Sequence, residues 1–497
     1  MGTTTTSRRR GPDPAPPPGR VVAVDTARGL ALIGMIAVHL FSETGPDGAA
    51  SPVQSVLAGR AAPLFAVLAG AAVAFTTGRA RVTGARAARV AAARLGTRAV
   101  LVCLIGLALG SFDTDRSPGV ILVFYGVLFA LAVPLVLLPT RVVLAVGVVS
   151  ACVMPVVSHL ARAHLPAPLG TDPSFVSVAT EPLTALREVF LTGNYPVATW
   201  FAYVCVGLVV GRLDLSSRRV ALRLVAAGTA VAAAAWGASW LLLHPLGGLS
   251  RLLALPLGTD DPVSELLSVG AGGVVPTDSW WWLAVLGPHT GTTPQVMQSS
   301  GIAVAVVGVL CLAAGLPGRA GHVVAVVTAP PAAMGSMTLT LYCTHVLYLI
   351  SPYARTDSVP AFVAEIACYA VFATIWRSRF RRGPLEGPVG RLVGRAGVWA
   401  GGRGPAPDAR RPPRPRPGHG IPPPRTGYRS PRPRGRRSRR PRRGCCRRRA
   451  WCAAGPGDGS SRPPPRPTTV VVLPCRSVPP GPQPAAVSSG VSPKARA

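Results

Sequence analysis

Three ionisable residues, Asp25, Arg28 and His39, lie within one apolar stretch, VVAVDTARGLALIGMIAVHLF at 21–41. At about 100° per residue on a helix they share one narrow face. An Asp or Arg at mid-bilayer costs at least about 2.5 kcal/mol, so that face belongs in a protein interior or a polar cavity. Asp25 and Arg28 are three apart and can pair across a turn. Two readings of the pair stand. It anchors the helix at an interface, or Arg28 holds an anionic group of a cofactor while Asp25 orients it. The planar, permanently charged guanidinium suits phosphate or carboxylate. His39 lies about 21 Å along the helix from Asp25. Its partner must therefore come from another segment or from the next loop, which offers Glu43 and Asp47. An imidazole placed there can move protons near neutral pH; a structural histidine bonded to a carbonyl is the equal alternative.

A second polar stripe falls in GSMTLTLYCTHVLYL, 335–349, where Thr338, Tyr342 and His345 share a face. Such decoration is expected to look into a helix bundle. Tyr342 can donate a hydrogen bond to a carbonyl or to His345. The following segment adds Glu365 and Tyr369, four apart. His289 follows Trp280, Trp281 and Trp282; these are read either as a pocket stacking on a sugar or lipid headgroup, or as an interfacial aromatic belt. Arg60 sits within the second apolar segment. No histidine has carboxylates or cysteines at a ligand spacing, so no metal is expected. Neither a nucleotide-binding Gly-rich loop with its lysine nor a GxSxG elbow is present.

These residues need elements to hold them. The chain has 497 residues, of which 49% are hydrophobic and 14% charged, against about 25% charged in a soluble domain. Apolar runs recur at 21–41, 53–77, 99–111, 119–138, 142–160, 196–211, 224–243, 295–316, 333–350 and 359–376. The reading is an all-α polytopic integral membrane protein with about ten transmembrane helices. The short third run is taken to begin near Ala91, with Arg94 and Arg98 snorkelling. Ten spans from a cytoplasmic amino terminus put Arg79–Arg98, Arg141, Arg212–Arg223 and Arg377–Arg382 on one side. Asp113, Asp115, Glu181, Asp260, Asp261 and Asp278 fall on the other, as the positive-inside rule requires. The expected setting is the plasma membrane with both termini cytoplasmic, and a homodimer is left open.

Residues 1–20, rich in Pro and Arg, read as a disordered leader, and 21–397 as the membrane domain. Residues 398–497 form a Pro/Arg-rich tail expected to be disordered. Of the 52 basic residues, 23 lie in 401–497 beside only Asp408 and Asp458. The net charge of +33 therefore describes the tail more than the membrane domain, and specific nucleic-acid binding is not expected. Attraction to anionic lipid is one reading of the tail; a frame-shifted extension of a GC-rich coding sequence is the other. Six cysteines stand singly in or beside apolar segments and make no disulfide framework.

The string VDTARGLALIGMIAVHL resembles the opening segment of bacterial membrane proteins related to the heparan-alpha-glucosaminide N-acetyltransferase catalytic domain and the DUF418 family. The likeness continues at LTGNYPVATWFAYVCVGLVVGRLDL, DSWWWLAVLGPHTGTTP, MGSMTLTLYCTHVLYL and RRGPLEGPVGRL. It implies transfer of an acyl group from acetyl-CoA, or another acyl-CoA, to a sugar, lipid or envelope-linked acceptor across the membrane. In that setting Asp25, Arg28 and Arg60 would place the donor, His39 or His345 would act as base, and Tyr342 would assist at the carbonyl. His289, Trp280, Trp281 and Glu365 would meet the acceptor. A transporter of a small solute, or a non-catalytic envelope protein, would carry the same stripes. Either way, a polar cavity is expected between helices one and nine, with His39 and His345 converging towards its outer end.

Overall fold

The apolar stretch that opens the chain folds as α1, Val22–Leu40, of which Leu32, Ile36 and Leu40 are buried. The computed structural model describes residues 22–45, 49–112, 119–166, 170–255 and 262–402. The chain divides into Met1–Pro413 and Arg414–Ala497, and all that is described belongs to the first unit. The leader 1–20, residues 403–497, and Asp47, Asp113, Asp115, Asp260 and Asp261 lie outside the described residues.

After α1, the short α2 (Pro52–Leu57) starts where the Ser51 side chain accepts the Gln54 N–H. Gly59, at φ +64°, turns the chain, and α3 (Ala61–Thr76) continues the second apolar segment. Then come α4 (Ala85–Gly110), α5 (Leu122–Leu135) and α6 (Thr140–Arg162). Two short helices, α7 (Phe175–Thr180) and α8 (Pro182–Arg187), lead through a π-turn at Glu188–Thr192 into α9 (Val197–Arg212). α10 (Arg218–Leu243) precedes the short α11 (Gly248–Leu253) and α12 (Pro262–Ser268). The remaining helices are α13 (Thr293–Ala314), α14 (Gly318–Gly335), α15 (Thr338–Leu349), α16 (Val359–Arg379) and α17 (Glu386–Gly401).

Seven of these are long and apolar enough to cross a membrane, or up to nine if each of two bent pairs is one span. The pairs are the stretch Pro182–Thr192 with α9, bent by 54°, and α14 with α15, bent by 72°. The expected ten is not reached. α5 has 14 residues, a rise of about 21 Å against a hydrocarbon core of about 30 Å. The described residues therefore make an all-α, multipass membrane protein.

Lipid tails are as apolar as leucine, so helices in a membrane associate through close packing of small residues rather than through the hydrophobic effect. α1 and α14 illustrate this. A Cβ on Gly29 would collide with the Pro331 carbonyl, and one on Gly335 with the Asp25 carbonyl. α3 and α9 meet the same way at Gly70 and Gly207. α3 runs antiparallel to α1, since Gly34 faces Ala61 while Arg28 reaches the Leu68 carbonyl. Arg81 and Arg212 close one end of this bundle, donating to the Leu137 and Leu138 carbonyls at 2.7 and 2.9 Å. The Leu40 end of α1 lies at the opposite end.

Two elements depart from the sequence reading. α4 begins at Ala85 rather than near Ala91, so the arginine-rich stretch is itself helical, and Arg86 Nε donates to the Gly401 carbonyl of α17 at 2.8 Å. α14 was not expected as a separate helix; its last turn is apolar and merges in sequence with the start of segment nine.

Candidate active site

His39 Nδ1 lies 3.1 Å from His345 Nε2, and His345 Nδ1 lies 2.8 Å from Glu365 Oε1. Three helices, α1, α15 and α16, each contribute one member of this line. The two rings are nearly parallel, at 9°, and His345 is fully buried. An ionised carboxylate only accepts hydrogen bonds. With Glu365 ionised, His345 Nδ1 must donate to it, which leaves His345 Nε2 as acceptor for the His39 Nδ1 hydrogen. His39 Nε2 then carries a free lone pair. The carboxylate thus sets the tautomers of both rings and leaves a base at the far end.

That end faces a cavity of about 640 Å³ lined by His39, Ser42, Glu43, Gln54, Asn194, Tyr195, His289 and Asp357. Polar groups dominate its wall. His289 adopts φ +50°, uncommon for a residue with a Cβ, and its ring stacks on Trp200 at 6.4 Å while meeting the Tyr195 ring edge-on at 5.7 Å. Burial pushes the His289 pKa down to about 4. Asp357 stays well ionised, because its carboxylate accepts both the Ser42 hydroxyl and the Ser42 N–H, which lower its pKa.

A second cavity, about 410 Å³, lies between α1, α3, α4, α5, α15 and α17. Arg28, Arg98, Arg382 and Glu386 line it together with Tyr125 and Tyr342. Arg28 bonds to Asp25 Oδ1 and to the Leu68 carbonyl, each at 3.4 Å. Glu386 accepts the N–H and hydroxyl of Thr340, at 3.1 and 2.7 Å, which ties α17 to the start of the helix that carries Tyr342 and His345. The Tyr342 hydroxyl accepts the Ile121 N–H at 3.2 Å, so its own hydrogen is available to a group in the cavity. Met35 belongs to the wall of this cavity and His39 to that of the other. The two cavities are thus one helical turn apart on α1, about 6 Å along its axis.

Several sequence expectations need correcting. Arg60 does not join Arg28; it lines neither cavity and donates to the carbonyls of Ser55 and Val56 in its own segment, at 2.7 and 3.0 Å. The turn at Gly59 places Arg60 before α3, near the Gly34 level of α1 rather than the Arg28 level. Trp280 and Trp281 do not line the histidine cavity. Trp280 packs on His159 at 5.0 Å, Trp281 lies under Arg251, and the buried Trp282 donates to Asp278 at 2.8 Å. Trp281 and Trp282 belong to a separate small core with Leu243, Leu252, Val263 and Val275, whereas Trp280 is more than half exposed. Glu365 bonds to His345 instead of lining the cavity, and Tyr342 bonds to Ile121 rather than to His345.

Sequence reasoning passed over Asn194, Tyr195 and Asp357, whose signals were a loop between helices and a Ser42 partner 315 positions away. Glu386 was equally silent, standing in a stretch that read as the end of the helical pattern. Among the described residues no group of three His, Cys, Asp or Glu comes together to hold a metal.

Residues 20–244 match a protein-family model, heparan-alpha-glucosaminide N-acetyltransferase, catalytic. The match includes Arg28, His39, Arg98 and Asn194, whereas His289, His345 and Glu365 lie beyond it. No curated protein matches the chain.

Proposed function

For this multipass membrane protein, related through residues 20–244 to an acyltransferase family, we propose transfer of an acyl group from acyl-CoA to an acceptor held on the opposite side of the membrane. One observation carries the reading: an arginine-lined cavity and a histidine-bearing cavity stand back to back, one turn of α1 apart. The arginine cavity takes the donor. Arg28, Arg98 and Arg382 meet its anionic groups, since guanidinium forks hold phosphate oxygens bidentately. The cytoplasm, where acyl-CoA is made, is on that side, in line with the positive-inside rule. The setting is the plasma membrane.

The acceptor enters the histidine cavity with an amine or hydroxyl against His39 Nε2. His39 removes the acceptor proton as the nucleophile attacks the thioester carbonyl. The new acyl–acceptor bond forms, the carbon–sulfur bond breaks, and the sulfur leaves as thiolate, which regains a proton as free thiol. The Glu365 carboxylate, acting through His345, stabilises the imidazolium that forms at His39. Tyr342 donates to the thioester oxygen from the donor side. General base assistance of this kind contributes about 10²–10⁴-fold.

The test is acetyl-CoA binding to the purified full chain, followed by release of free thiol on adding glucosamine as a probe acceptor. Thiol release that needs the acceptor, and that His39→Ala and His345→Ala each abolish, is the expected result. Unchanged turnover in both variants would overturn the assignment. Solute flux with no thioester consumed would make the protein a transporter.

A further inference from the structure

The Glu365–His345–His39 line needs its three helices held in register, and α16 packs on the bundle along one side only, through Phe362, Ile366, Tyr369 and Ala370. Ala373 is its sole buried residue, and its apolar side chains Val363, Val371 and Ile375 are more than half exposed. Glu365 sits 2.8 Å from His345, so the angle at which α16 leaves the preceding connection bears directly on this bond.

A further anchor lies between α15 and α16. Asp357 N donates to the Leu40 carbonyl at the end of α1, at 2.7 Å. The Asp357 carboxylate accepts the Ser42 N–H and the Ser42 hydroxyl, both at 2.5 Å. All three bonds join the residues just after His39 to the connection whose two ends carry His345 and Glu365. The Phe41 ring meets Phe362 of α16 at 5.6 Å beside them. Asp357 holds φ +54°, a left-handed turn conformation that Asp and Asn adopt more readily than other residues with a Cβ.

We propose that Asp357 is a positioning residue for the proposed acyl transfer: it clamps the His39 end of α1 to the α15–α16 connection and so sets the His39–His345 hydrogen bond. The inference rests on the catalytic reading above for its kinetic consequence, but its geometric part stands without it. Asp357 touches no reacting atom. Its carboxylate is occupied by Ser42, and its effect reaches the chemistry through the angle and distance between two imidazoles. Small errors at this point matter, since a misplacement of about 1 Å can cost about 10²-fold in rate.

The experiment uses the full chain in nanodiscs, labelled with nitrogen-15 at histidine, and three variants. Asp357→Gly keeps the positive φ and the backbone N–H but removes the carboxylate. Asp357→Asn keeps an acceptor for Ser42 and tolerates the same backbone. Ser42→Ala removes one donor from the other side. The expected result is loss of the coupled N–H···N signal of His39 and His345 in Asp357→Gly, partial loss in Ser42→Ala and retention in Asp357→Asn, with His289 unshifted throughout. With acetyl-CoA and glucosamine, Asp357→Gly should lower kcat about 10²-fold at unchanged KM, and Asp357→Asn should recover most of it. An intact His39–His345 signal in Asp357→Gly would overturn the proposal. So would an equal disturbance of His289, the mark of general loosening, or a KM effect with kcat intact, the mark of an acceptor-binding residue. If no variant and no wild-type protein consumes acetyl-CoA, the catalytic reading fails while the nitrogen-15 result still decides the clamp.

Discussion

His39 and His345, 306 positions apart in sequence, share a hydrogen bond of 3.1 Å at the point where a polar cavity ends inside the helix bundle. Behind His345 stands Glu365, whose carboxylate meets its Nδ1 at 2.8 Å. Replacing Glu365 by Gln should leave the fold intact but free the His345 tautomer, because an amide can donate as well as accept. A hydrogen bond to a charged group contributes about 1.5–3 kcal/mol, so kcat for acetyl transfer should fall about 10–100-fold. Steady-state kinetics on Glu365→Gln, with thermal melting as a control, checks this; a KM change alone would contradict it.

The arginines of the other cavity should affect the donor and not the acceptor. Arg98→Ala and Arg382→Ala are expected to weaken acetyl-CoA binding about 10–100-fold each, the same 1.5–3 kcal/mol for a charge-assisted bond. Arg60→Ala should leave binding unchanged, since Arg60 donates to carbonyls of its own segment and lines neither cavity. Calorimetric titration of the three variants separates them, and equal effects at Arg60 and Arg98 would count against the placement of the donor.

Much of this site was legible in the sequence, because helical periodicity puts chemistry-bearing residues on definite faces. Asp25, Arg28 and His39 on one face, and Tyr342 and His345 on another, were enough to bring α1 and α15 together. What periodicity could not supply was anything decided by a turn. The antiparallel register of α3 on α1 puts Arg60 at the Gly34 level, away from Arg28. The connection at 350–358 brings Asp357 to Ser42, a pairing with no local signal. The tryptophan cluster misled for a related reason: three adjacent aromatics on a 3-10 turn, Trp280–Ala284, point in three directions, and only their packing partners reveal which wall they build. The tenth expected span falls on α5, which is apolar but only 14 residues long.

Packing of α1 against α14 should tolerate no added side chain. Gly29→Ala places a methyl group against the Pro331 carbonyl, a backbone atom that cannot rotate away. Overpacking of this kind costs about 1–3 kcal/mol. The Tm of the full chain in detergent should fall by several degrees for Gly29→Ala. Gly237→Ala, with nothing close to its Cβ position, is the matched control and should keep the wild-type Tm.

His289 gives a pH dependence of definite sign. Its pKa in the folded protein is about 4, below the ordinary imidazole value of about 6.5. Between those values the unfolded chain binds more protons than the folded one, so stability falls as pH drops. The contribution of neutral His289 is complete above about pH 6.5 and is lost progressively towards pH 4. Melting of the wild type and of His289→Gln across that range should show a steeper decline in the wild type; parallel curves would contradict it.

In the proposed reaction donor and acceptor meet from opposite sides at His39. Sealed proteoliposomes with the full chain in one orientation, acetyl-CoA outside on the arginine face and glucosamine trapped inside, test it most directly. Acetylated glucosamine should accumulate in the lumen with one thiol released outside per acetyl group, and His39→Ala should abolish both. Acetylation only when donor and acceptor share a compartment, or lumenal product undiminished in His39→Ala, would contradict it.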